Sequence, residues 1–429
     1  MAGSAVSYEL VTHGSVREIG EEAYRGLVSD TTPPFLHFEW LDALEQAGCV
    51  TPDKGWLPLF LALHSIEEPP IEEPPIEEPP IAEPRSAEAL PARAGRRRLV
   101  AVAPAYVKWH SDGEFVFDHA WAQFAEQRLG IEYYPKLVLA CPFTPATGPK
   151  VLVHADADVA QVHAALSDGI ERLLGQVQLS SAHALFSPSE DAEIWGELGW
   201  ARRFGVQFHW ENAGYASYDD FLARFSAKRR AALRREERQL ADQGIRLEVH
   251  TGADLDEELL DAAYRFYLST VDKHVWGRRY LNREFFMIVG RTMPDRLHLV
   301  TALDRASGRR LGGAFNLLGN DALYGRYWGA IEERPFMHFN VCFYAGIREC
   351  VARGLRRFEP GAGGEHKLSR GFEATVTHSA HRIVHPQLDG AVREFLSRER
   401  AGILAAVARA RAESPLRPSP SAPPTEDVR

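Results

Sequence analysis

Apolar and polar positions along this chain change period often enough to mark its elements one by one. Residues 34–47, with Phe38, Trp40, Leu41 and Leu44, have helical spacing, and 56–64 (WLPLFLALH) is a short apolar run that predicts a buried strand. Residues 96–109 (RRRLVAVAPAYVKW) resume that pattern, and 114–122 (EFVFDHAWA) reads as an aromatic strand. The turn-rich CPFTPATGPK at 141–150 precedes a strand at 151–154, a helix at 157–176, a strand at 181–188, a short helix at 191–198 and a strand at 203–210. Ser217 opens a capping box and Ser226 caps a helix over 227–243. A strand at 246–250 and an amphipathic helix at 256–271 follow, with Leu259, Leu260, Ala263, Phe266, Tyr267 and Val271 on one face. A helix at 283–292 leads to a strand at 297–302. The apolar runs 311–318 and 322–328 flank Gly319, Asn320 and Asp321, which is hairpin chemistry. Phe339, Cys342, Phe343, Ile347, Cys350 and Val351 then recur at helical spacing, with Gly354 where a C-cap belongs. Arg357 and Phe358 lead into EPGAGGEHK at 359–367, so ionisable residues gather at the end of a buried strand, a common place for a ligand site.

One stretch obeys neither period. Residues 66–84 read IEEPPIEEPPIEEPPIAEP, whose paired prolines forbid helix and interior strand and whose acidic pairs repel. The reading is a disordered acidic insert over 66–96, expanded at a hairpin tip. The order strand, hairpin, strand, tight turn, aromatic strand occurs twice, around 56–122 and around 297–330. This echo predicts two tandem α/β units: 1–210 and 211–398, the second carrying the main site. Residues 399–429, ending SPLRPSPSAPPTEDVR, are expected to be a largely disordered tail.

Composition narrows the classes. At 45% hydrophobic and 25% charged, the chain can bury substantial cores, and a net charge of −10 gives no global attraction to nucleic acid or anionic membrane. No stretch reaches the ~18 apolar residues of a membrane span. The four cysteines (Cys49, Cys141, Cys342, Cys350) show no metal spacing, and buried free thiols are expected. The N-terminus has no basic, apolar leader pattern, which points to a cytoplasmic protein.

The helix SAKRRAALRREERQLADQGI, the strand LYGRYWGA and the loop RRFEPGAGGEHKLSRGF, with CPFTPATGP and KHVWGRRYL, resemble the FemAB-like predicted N-acyltransferases, tandem members of the GNAT superfamily. The resemblance spans about residues 30–395. It implies two tandem GNAT-like domains with mixed sheets, and transfer of an acyl or aminoacyl group to an amine acceptor, a small molecule or peptide such as a cell-wall precursor. It implies no tightly bound cofactor, the donor being a cosubstrate: aminoacyl-tRNA or acyl-CoA. Acetyl-CoA-using relatives carry a glycine-containing pyrophosphate loop, whereas EERPFMHFN at 332–340 has no glycine, which leaves room for charged tRNA or another carrier. The alternative class is a non-catalytic protein that keeps the fold and recognises a peptidoglycan precursor or RNA.

Transfer to an amine needs a neutral amine, a placed carbonyl and donors for the oxyanion. Glu359, Glu365 and His366 are the candidate bases. Lys367 and Arg370 suit a phosphate or carboxylate. Tyr324, Arg326 and Tyr327 lie on the aromatic strand, and alternation would put Tyr324 and Arg326 on one face. His338 stands at a helix start; Trp276, Arg278 and Tyr280 form an aromatic and basic cluster. Lys228, Arg229 and Arg230 begin a basic helix able to contact phosphates. No metal-ligand spacing and no DNA-reading module is present in the sequence.

Overall fold

The computed structural model describes residues 7–67, 96–273 and 278–417, apart from the side chains of Glu67, Arg96 and Glu365. The strands are β1 (Ser7–His13), β2 (Trp56–Pro58), β3 (Phe60–Glu67), β4 (Arg96–Ala103), β5 (Ala105–Lys108), β6 (Lys136–Leu139), β7 (Leu152–Val153), β8 (Ser181–Ser187), β9 (Ala201–Glu211), β10 (Ile245–Thr251), β11 (Leu297–Asp304), β12 (Arg310–Leu318), β13 (Ala322–Ala330), β14 (Arg357–Glu359) and β15 (Glu373–Ile383). They form a four-stranded sheet, β1-β3-β4-β7, and an eleven-stranded one, β10-β11-β12-β13-β14-β9-β15-β8-β6-β5-β2. The α/β class with mixed sheets is the one expected. Two pairs are parallel, β6 with β8 and β13 with β14. Parallel neighbours need a long crossover. The helix Val159–Gln176 lies in the first, and residues 337–353, helical with a π turn at Asn340–Tyr344, form the second.

Local signals set most boundaries. Ser217 accepts from the Asp220 amide and Ser226 from Arg229, so these two helices start at their predicted caps; Asp256 accepts from Leu259 and caps the next. The β3–β4 register runs out to Glu67 opposite Arg96, the two ends that the acidic repeat joins. The repeat itself, with the disorder expected of it, falls outside the described residues.

Two expectations are corrected. Residues 114–122 are not a strand: Glu114 and Asp118 turn inward to Lys136, and a helix runs over His119–Phe124. The counterpart of β13 is therefore β6, the strand with a parallel neighbour. The tail also begins later than 399, because the helix Pro386–Ala412 continues through it and buries Leu388, Val392, Leu396 and Val407. Residues 418–429 lie outside the described chain.

The halves interleave. β15 is inserted between β8 and β9, and β9 also pairs with β14. The largest core combines the helix Phe38–Gln46 with Arg283–Thr292, where Trp40 meets Phe285 edge-on at 4.9 Å.

At the β8–β15 seam, His183 and His381 face each other with Nδ1 atoms 2.7 Å apart, and their Nε2 atoms engage Ser181 and Ser379 at 2.8 and 2.9 Å. Burial, then Lys136, lowers His183 to about 3, and burial lowers His381 as well. Both rings are neutral when folded, while an unfolded imidazole binds a proton below about pH 6.5. Stability from this pair is thus present above pH ~6.5 and lost as pH falls, by up to ~1.4 kcal/mol per pH unit for each ring. Urea titrations from pH 7 to 4 check this: His183→Gln is expected to shed about one proton's share of the slope.

β13 also packs against the helix Glu257–Val271 at its closest approach. A Cβ on Gly329 would lie 1.8 Å from the Phe266 carbonyl oxygen. Gly329→Ala is expected to cost at least ~1–3 kcal/mol, because backbone must yield, with thermal melting as the check.

Candidate active site

Strands β13 and β14 pair over three positions only, Ala322–Arg357, Leu323–Phe358 and Tyr324–Glu359, and then part. Pro360 follows at once and has no amide to donate. Gly325 lies against it, where a Cβ would be 3.0 Å from the Pro360 Cα. On the other side, Phe315 faces Tyr327 while Asn316 faces Gly325, so Arg326 is the extra residue of a bulge. The bulge breaks alternation. Arg326 and Tyr327, neighbours in sequence, both line the cleft that opens here. Tyr324 does not line it: its ring is 1% exposed and packs edge-on to Phe35 at 5.1 Å.

The cleft is a groove of about 670 Å³. Its floor is Ala314, Asn316, Arg326 and Tyr327; one side is Tyr267, Val271, Arg278 and Tyr280. The other is His338, Cys342 and Phe343 with the glycine-rich run 360–364, His366 and Lys367. Phe115, Phe143 and Pro145 of the first half close it.

That last wall comes from CPFTPATGP. Phe143 takes the left-handed conformation (φ 58°), stacks on Tyr280 at 4.7 Å, and accepts from Arg326 through its carbonyl. Arg326 also donates to Thr144 Oγ1 at 3.1 Å, and the Thr147 amide donates to Glu359 Oε2 at 3.0 Å. Nothing in the sequence pattern ties Phe143 to a site about half the chain away. A proline-dense connection between apolar strands was the one local sign of a structured loop. Phe115 was hidden by the strand reading of its segment.

Of the predicted residues, the groove gathers Arg326, Tyr327, His338, His366, Lys367, Arg278 and Tyr280. Lys367 is 4% exposed, and its Nζ donates to the Gly361 carbonyl at 2.5 Å and to Ala362 at 3.4 Å. Among the described residues it has no carboxylate partner. Burial lowers it to about 8, against the pull of Cys342. His338 packs 4.9 Å from Trp328 and is lowered to about 4 by burial, then by Arg370 and Lys367, so it is neutral near pH 7. His366 is exposed at the lip, 5.9 Å from Phe339. Arg278 pairs with Asp112 at 2.7 Å. Cys342, expected to be buried, is half-buried on the groove wall.

Other candidates lie elsewhere for identifiable reasons. Glu359, 2% exposed, is ion-paired with Arg357 at 2.9 Å and holds the Thr147 amide, so it clasps the halves rather than facing the groove. Arg370 donates to Glu236 at 2.9 Å and Tyr344 at 3.0 Å and lies 3.3 Å over Phe339, which makes it an internal pair. Arg229 donates to the Ser369 carbonyl at 2.7 Å and Arg230 to the Phe225 carbonyl at 3.1 Å; Lys228 is exposed on the same helix, away from the groove. Trp276 and the Glu365 side chain fall outside the described residues.

A family model described as peptidoglycan biosynthesis/recognition, FemAB-like, matches residues 15–418. No curated protein matches the chain. Among solved structures, FemX is 11% identical with a TM-score of 0.48, covering 90% of this chain and 100% of its own. L-PGS from Bacillus licheniformis is 10% identical at a TM-score of 0.42, covering 68% and 86%. A tandem GNAT protein from the clavulanic acid biosynthesis pathway is 11% identical at 0.42, covering 89% and 99%. Within the described residues, no helix is long and apolar enough to cross a membrane.

Proposed function

We propose, from the premise that this chain belongs to the FemAB-like family of peptidoglycan biosynthesis and recognition, that it transfers an acyl or aminoacyl group to an amine by direct attack. The acceptor class is a cell-wall precursor amine. The observation that carries the reading is the groove at the parting of β13 and β14, where Lys367, His338, His366 and Arg326 converge on one space. A site of this kind can supply positioning and charge without a covalent nucleophile.

In this reading the acceptor nitrogen attacks the acyl carbon, and the carbonyl oxygen takes up negative charge. Lys367, as the ammonium, donates to that oxyanion. His366, with Glu365, accepts the proton released from nitrogen. Collapse of the intermediate breaks the bond to the carrier oxygen or sulfur, which leaves with the proton. His338, held neutral, borders the acyl side and can accept a hydrogen bond. Arg326 anchors an anionic part of acceptor or carrier.

The testing experiment incubates the full chain with a peptidoglycan-precursor peptide and, in turn, charged tRNA and acyl-CoAs, and reads acceptor mass. A mass gain equal to the acyl group, dependent on the protein, is expected. Precursor binding with no mass gain from any donor would sink the transfer reading and favour recognition.

A further inference from the structure

The ionisable groups of the groove, Arg278, Arg326, His338, His366 and Lys367, are spread over its floor and both sides. Phe115, Phe143, Tyr280, Val271, Trp328 and Phe343 line much of the rest. At about 670 Å³ the space falls in the ~300–1,000 Å³ range of sites that bury a whole drug-sized ligand. A glycyl or seryl group would touch little of that wall. Phe115, on the groove lining, is 36% exposed. Phe115 is held at φ 60°, a strained setting for a residue with a bulky side chain, so its position at the groove edge is imposed by its surroundings.

We propose that this groove binds a medium- to long-chain acyl group, with the chain along the aromatic wall and the carbonyl toward Lys367. The donor class is then an apolar acyl ester or thioester rather than an aminoacyl ester. This inference rests on the transfer reading for its chemistry: the carbon–nitrogen bond forms as the carbon–oxygen or carbon–sulfur bond to the carrier breaks. The chain binding itself can be measured without turnover.

The test uses the full chain. Calorimetry with acetate, octanoate and myristate reads binding, and acetyl-, octanoyl- and myristoyl-CoA with a precursor amine read transfer. Affinity is expected to rise about fourfold per added methylene until the groove is full, the equivalent of ~0.8 kcal/mol each. Val271→Trp should shorten the preferred chain. Phe115→Ala should weaken myristate about tenfold at unchanged melting temperature, and this exposed position carries the test if the tryptophan variant fails to fold. Equal affinity for acetate and myristate, or transfer from aminoacyl esters alone, overturns the inference and leaves the transfer reading standing. Chain-length-dependent binding with no transfer from any donor supports the inference and sinks the transfer reading instead.

Discussion

Lys136→Met is expected to destabilise the protein by about 3–5 kcal/mol, as removal of one partner of a buried charge cluster does. Lys136 is fully buried, and its Nζ donates to Glu114 Oε2 and Ser111 Oγ at 2.8 Å and to Asp118 Oδ2. Asp118 also accepts from Tyr133 at 2.7 Å and from Ser111. Burial is the largest influence on Asp118 and opposes its ionisation, but the charge of Lys136 together with the hydrogen bonds from Lys136 and Ser111 holds the carboxyl below its usual range. Burial raises Glu114 to about 7 despite Lys136. Lys108 cannot take over: it lies 4.0 Å from Glu114 and is itself lowered to about 7 by burial. Methionine would leave an ionised carboxylate in a dry interior. Urea unfolding checks the loss, and adding Asp118→Asn and Glu114→Gln to Lys136→Met should recover most of it. A loss under about 1 kcal/mol for the single variant would mean that the cluster is worth no more than an average substitution site.

Lys367→Met is expected to lower kcat/KM by about 10²–10³-fold, the effect of removing one preorganised oxyanion donor. Its ammonium is buried and held by the carbonyls of Gly361 and Ala362 in the glycine-rich run that lines the groove. Burial lowers its proton affinity to about 8, so the charge is present below pH 8 and lost above it. The pH profile of kcat/KM should therefore fall above about 8. Lys367→Arg should move that limb upward while keeping part of the rate. A flat profile through pH 9 in the wild type, or a melting temperature that drops with the methionine variant as far as activity does, would make Lys367 a structural residue.

Where a feature depends on neighbours in sequence, the chain spelled it out. The caps at Ser217 and Ser226, the β12–β13 hairpin around Gly319 and the helix stop at Gly354 (φ 67°) are local chemistry and stand where expected. That the strand end at 357–367 gathers ionisable residues was legible for the same reason. Which of its charges face the groove was not. Arg370 and Lys367 lie one helical turn apart in a short 3₁₀ stretch, and distant partners, Glu236 (134 residues away) and Tyr344, hold Arg370 inward. Likewise a single bulge residue moved Arg326 and Tyr327 to one side and left Tyr324 in the core. Glu114 to Ala122 misled because aromatic alternation looks alike on a strand and on a loop anchored by buried carboxylates.

The insertion of β15 has a consequence for synthesis of the chain. Until residue 383 has left the ribosome, β8 and β9 face each other across an empty strand position with their amides and carbonyls unmatched. The amino-terminal half of the nascent polypeptide therefore waits, with an open seam, for nearly its entire length to be translated. Such seams invite pairing with other chains, and long-range strand pairing of this kind is slow. Truncations that end before 373 should yield insoluble product rather than a shorter folded unit, and the protein should refold as one cooperative body rather than as two beads.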